Sequence, residues 1–143
     1  MPASDPIYRH EFVVTPDMLD ENGHVNNVIY VYWMQDVAIQ HSASCGGRQM
    51  MEELEATWVA RSHKIEYLSP AFEGDQVTAL TWLAGFRRVR ATRRYKFVRK
   101  ADGTVLSRGE TDWVLIDVKS RRPRSIPEQY IGAIQTVPEG KEP

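Results

Sequence analysis

Cysteine is nearly absent from this 143-residue chain: Cys45 stands alone, so no internal disulfide can form. That excludes a disulfide-built secreted scaffold and fits a reducing compartment, so the cytoplasm is the expected location. Long apolar runs are missing too, and no stretch approaches the roughly 20 residues of a membrane-spanning helix. The opening residues MPASDPIYRH lack the basic-then-apolar pattern of an export signal. Charge of one sign is not in excess, with 18 Lys and Arg against 19 Asp and Glu. A formal net charge of -1 argues against holding nucleic acid as the main task. Internal repeats and low-complexity linkers are absent.

What is present is the composition of a globular chain, 42% hydrophobic and 26% charged. The length suits one domain, expected over residues 7–137. The polar ends 1–6 and 138–143 offer little to bury and are expected to be loose. Tyr8 to Val14 reads as a first strand, ended by the turn chemistry of Thr15-Pro16-Asp17. From Asn27 to about Ser44 there is neither Gly nor Pro, and Gly46-Gly47 closes the run. This predicts a helix about 27 Å long. Its apolar residues nearly encircle the axis, which predicts a helix buried in a core. Arg48 to Leu54 can add a short second helix. Trp58 to Leu68, Gln76 to Phe86, Val89 to Arg99 and Thr104 to Val118 read as strands, and Asp102-Gly103 marks a hairpin between the last two. Glu128 to Gln135 can form a short terminal helix. The expected fold class is α+β, an antiparallel sheet wrapped around one long helix. Such a sheet leaves edges and apolar surface open, so dimerisation or higher assembly is expected.

The chemistry concentrates in Asp20-Glu21-Asn22-Gly23-His24-Val25-Asn26-Asn27, just before the long helix. A carboxylate there can act as base or nucleophile, and a helix N-terminus offers free N–H donors and a partial positive charge. These are the parts needed to attack a carbonyl and hold the oxyanion that develops. The same residues suit a capping loop, with Asn26 as N-cap and Asp20 in a turn. Local chemistry leaves both readings open.

The run Asp20 to Tyr30, with Trp33 following, resembles the motif of hotdog-fold thioesterases. It is similar to the acyl-ACP thioesterases, with their Asp-x-Asn-x-His-Val-Asn-Asn before the central helix. It also resembles the 4-hydroxybenzoyl-CoA thioesterase group, with an Asp three residues before the loop glycine, as Asp20 stands before Gly23. The likeness continues through Ile65-Glu66-Tyr67, Pro70 and Gly74-Asp75. It implies a hotdog fold with active sites between paired subunits, a homodimer or homotetramer. It implies hydrolysis of an acyl-CoA or acyl carrier protein thioester without cofactor or metal. Asp20 matches the catalytic carboxylate, Asn22 and His24 the other motif positions, and the backbone N–H of Asn27 the donor to the thioester carbonyl. Gly23, Asn26, Tyr30, Arg61, Arg88 and Arg90 are the expected substrate-binding residues. One departure stands out: acyl-ACP thioesterases carry a further Glu or Cys after the Glu-Tyr pair. Here Glu66-Tyr67 is followed by Leu68-Ser69-Pro70-Ala71, and Glu73 is out of register. The alternative function is an acyl-thioester-binding hotdog protein without catalysis, since fold does not fix function.

Other motifs fail. Read as a calcium loop, the segment puts Met18 and Ile29 at ligand positions. His10, His24, His41, His63 and Cys45 have no zinc spacing, and neither a Gly-x-Ser-x-Gly elbow nor a phosphate loop is present. The basic stretch Arg87 to Lys100 places Arg88, Arg90, Arg94 and Lys96 on one strand face, opposite Val89, Ala91, Tyr95 and Phe97. That is an ordinary solvated outer face, or else a contact for coenzyme A phosphates or an acidic carrier.

Overall fold

Asn26 starts the long helix as its sequence suggests. Its side chain accepts from the Val28 N–H at 3.1 Å, and α1 then runs Asn27–Ser44 until Gly46 turns the chain at a φ of +82°. The computed structural model describes residues 5–143, so the first four residues of the expected loose N-terminus lie outside it. The strands are β1 (Tyr8–Val13), β2 (Ala56–Tyr67), β3 (Gln76–Arg87), β4 (Arg90–Arg99) and β5 (Val105–Asp117). Two short helices, α2 (Gly47–Glu53) and α3 (Glu128–Ala133), and two 3-10 turns, Pro16–Met18 and Glu139–Lys141, complete the described elements.

The strands form one antiparallel sheet in the order β1-β3-β4-β5-β2. This is the α+β arrangement expected, with α1 laid across one face. Tyr30, Trp33, Met34, Val37, Ala38 and His41 are its buried residues, one stripe at helical spacing. They meet Ala79, Tyr95, Phe97 and Leu106 from the sheet. Phe97 packs edge-on to Tyr30 and tilted against Trp33, each with 5.7 Å between ring centroids.

One expectation needs correction. The helix is not buried all round: Val28, Tyr32 and Ile39 are more than half exposed on its outer side. A single sheet can cover only one side of a helix, and among the described residues nothing covers these three side chains. The C-terminal segment 138–143 contains a short 3-10 turn, Glu139–Lys141. Just before it, Val137 donates to the Leu83 carbonyl and packs with Leu80 and Trp82 on the outer face of β3. Glu142 then accepts from Trp82 Nε1 at 2.6 Å and from Arg94 Nη1 at 2.8 Å. β3 is therefore covered on both faces, which explains its nearly continuous burial.

Candidate active site

The loop before α1 is held from two directions. Leu19 bridges Val25 across the loop, and His24 bridges Phe72 in the segment before β3. Val25 N–H donates to the Ala71 carbonyl, and Asn26 N–H to that of Met18, both at 2.9 Å. The 70–75 segment is itself fixed by Arg99, which donates to the Pro70 carbonyl at 2.7 Å and to Asp75 Oδ2 at 3.1 Å. The β4 end thus buttresses the loop from below. Gly23 N–H closes a tight turn on the Asp20 carbonyl, with Gly23 at a φ of +79°, where a side chain would be strained.

Inside this frame the two carboxylate oxygens of Asp20 have different partners. Oδ1 accepts from the Asn22 N–H at 2.9 Å and, more weakly, from the His24 N–H at 3.4 Å. Oδ2 lies 3.3 Å from His24 Nδ1. Both side chains keep partial access to solvent, 25% for Asp20 and 34% for His24. One oxygen builds the turn, which leaves the other beside His24 on a side chain that is partly exposed. The capping reading and the chemical reading are compatible, because they use different atoms.

The start of α1 supplies a donor. Asn26 occupies the Val28 N–H with its side chain and the Ile29 N–H with its carbonyl. The Asn27 N–H has no acceptor among the described residues, and Tyr67 Oη donates to the Asn27 carbonyl at 2.9 Å. An unsatisfied N–H at a helix start attracts negative charge.

Asp20, Asn22, Gly23, His24, Asn26 and Asn27 are brought together simply because they share one loop. The other expected site residues are not. Tyr30 is 3% exposed in the aromatic core, with its phenol pushed up to about 12 by burial, so it supports the loop from behind rather than facing a ligand. Arg88 lies in the β3–β4 turn, and Arg61 and Arg90 both approach Asp112 Oδ2, at 3.4 and 3.7 Å. Within one chain this hairpin end is roughly 36 Å from the loop along β3. Sequence reasoning missed Tyr67 and Phe72 as loop neighbours, because strand pairing across the sheet brings them there and no local pattern announces it. Among the described residues, no three His, Cys, Asp or Glu side chains cluster in a way that could hold a metal, and no helix is long and apolar enough to cross a membrane.

The comparisons with known proteins bear on the family and the fold. The family profile described as acyl-ACP thioesterase N-terminal domain matches residues 5–134. No curated protein sequence matches the chain. Among solved structures it is similar to the probable thioesterase YbaW of Escherichia coli, with TM-score 0.82, 19% identity, and coverage of 88% of this chain and 97% of that one. It is also similar to a Staphylococcus aureus protein solved in complex with CoA, with TM-score 0.81, 24% identity, and coverage of 93% and 90%. An acyl-ACP thioesterase from Bacteroides thetaiotaomicron gives TM-score 0.82 at 21% identity, with all of this chain covering 59% of that one. At these identities the structural likeness is one of fold, the hotdog fold.

Proposed function

Because the chain belongs to the acyl-ACP thioesterase N-terminal domain family, we propose that it hydrolyses an acyl-CoA or acyl-ACP thioester to the free acid and thiol, with Asp20 as the catalytic carboxylate. The observation that carries this reading is that one loop bears both a partly exposed Asp20 carboxylate and, at its end, an Asn27 N–H with no acceptor among the described residues. The thioester carbonyl oxygen is placed at that N–H, which stabilises the oxyanion as it forms. Asp20 then acts in one of two ways. As general base it takes a proton from water, whose oxygen attacks the carbonyl, and the proton passes to the departing thiolate. As nucleophile it attacks the carbonyl itself and expels the thiolate, and water hydrolyses the resulting anhydride. His24 and Asn22 orient Asp20, water or substrate.

Release of free thiol from a panel of acyl-CoA and acyl-ACP substrates, read colorimetrically, tests the reading. Turnover above the uncatalysed rate is expected with at least one of them. Binding of acyl-CoA with no thiol release would favour the alternative, an acyl-thioester-binding protein.

The working unit is a dimer or a larger assembly. β2 is an edge strand of 12 residues, largely exposed, with Val59 and Tyr67 among its exposed apolar residues. An edge this long is a template for pairing with another copy. Two-fold antiparallel pairing of β2 with its counterpart sets the Tyr67 end of one copy beside the Ala56 end of the other. The α1 start of one copy then lies across from the second half of α1 in its partner, near the hairpin that carries Arg88 and Arg90. Covering Val28, Tyr32 and Ile39 contributes about 25 cal/mol for each Å² removed from water. Size-exclusion chromatography with light scattering is expected to give at least twice the 16.4 kDa chain mass. A stable monomer that still turns over acyl-CoA would overturn both the packing argument and the shared site.

A further inference from the structure

Arg93 sits mid-strand in β4 on the face that packs under α1, only 6% exposed, in a row with Ala91, Tyr95 and Phe97. Its Nη1 donates to His41 Nδ1 at 2.8 Å and to Thr81 Oγ1 at 3.1 Å. Among the described residues no carboxylate lies within ion-pair distance of it, and Nε and Nη2 have no acceptor. His41 supplies no countercharge. It accepts from a permanently charged guanidinium and is itself neutral, with burial first and the Arg93 charge second pushing its pKa down to about 4. A nearly buried positive charge thus has neutral side chains as its bonding partners among the described residues, a costly state for a protein interior.

Arg93 is one of the residues lining a cavity of about 580 Å³ between the second half of α1, α2 and the sheet. Much of the remaining wall is apolar, including Ala38, Met51, Trp58 and Leu83. The carboxylate on this wall, Glu52, is 68% exposed and paired with Arg48 at 3.4 Å. A largely apolar cavity with one uncompensated cation fits a ligand that is apolar along its length and anionic at its tip.

Resting on the hydrolase reading above, we propose that the acyl group carries a carboxylate at the end remote from the thioester, and that Arg93 selects it. Asn27 and His41 are separated by fourteen residues of α1, about 21 Å. Within one chain, only a long acyl group spans that distance. Across the two-fold pairing, the cavity of one copy faces the loop of the other, and a shorter group suffices.

The test compares acyl-CoA substrates in matched pairs along a ladder of chain lengths, one of each pair ending in methyl and the other in carboxylate. The native protein is expected to prefer the carboxylate-ended member by at least about tenfold in kcat/KM, as a charge-assisted pair in a dry site provides. Arg93→Met is expected to abolish or reverse that preference while raising Tm, because an apolar chain of similar length relieves the buried charge. Arg93→Lys, which keeps a cation, is expected to retain part of the preference. Should no acyl-CoA release thiol, the hydrolase reading fails by itself. Calorimetry with free dicarboxylic and monocarboxylic acids of equal length, on the native protein and Arg93→Met, then decides this proposal. A native preference for methyl-ended ligands would overturn it. So would a preference unchanged in Arg93→Met, or a fall in Tm or loss of the dimer in that variant with the preference intact, since the charge would then be compensated by protein.

Discussion

Asp20→Asn is expected to lower turnover by at least about a hundredfold while leaving the fold intact, in line with losing a general base or nucleophile. The geometry separates the two outcomes cleanly. An asparagine oxygen at the Oδ1 position still accepts from the Asn22 N–H, so the turn survives. What disappears is the negative charge and basicity at Oδ2, the oxygen facing His24. Circular dichroism and steady-state thiol release on the same preparation check both halves. His24→Ala is expected to cost less, because its imidazole approaches Asp20 without being the only group that holds the loop. If His24→Ala abolished turnover and Asp20→Asn barely changed it, the roles would be reversed and His24 would be the base.

The second large effect is on stability. Phe97 is fully buried between Tyr30 and Trp33, at the contact where α1 meets β4. Phe97→Ala removes that contact and leaves a cavity the rigid sheet cannot collapse, at an expected cost of about 3–5 kcal/mol. For a chain of this size that is a fall in Tm of roughly 10–20 °C. Thermal denaturation must be followed at one protein concentration, because association shifts the midpoint. A fall of only a degree or two would mean that the helix–sheet contact is not the centre of the core.

The fold was legible where the signals are local. Asn26, the run free of Gly and Pro, and Gly46 define α1 from Asn27 to Ser44 without help from distant residues. Asp102-Gly103 likewise announces the β4–β5 hairpin, with Gly103 at a φ of +72°. What stayed illegible depends on partners far along the chain. Glu142 is polar and terminal, and nothing beside it in sequence points to Trp82 or Arg94. Tyr30 adjoins the motif in sequence, but Phe97 and Tyr67 bury it. Arg93 did carry a signal: strand alternation places it with Ala91, Tyr95 and Phe97, yet its charge and basic neighbours suggest water instead. The candidate loop stands out in the sequence because its residues are contiguous. The hairpin arginines do not join it, since one chain holds them at the far end of the sheet.

The strand order has a kinetic corollary. β3, β4 and β5 form a meander closed by short turns, so their pairing loses little chain entropy. β1 and β2 must each find an edge of that meander across a long intervening segment, Tyr8 opposite Thr81 and Tyr67 opposite Ser107. Loop-closure entropy is spent before these contacts return anything, which places refolding in the slower range typical of non-local β topologies. The loop bearing Asp20 is anchored on one side by β1 and on the other by the segment entering β3, so it acquires its shape only once the β1 edge has closed.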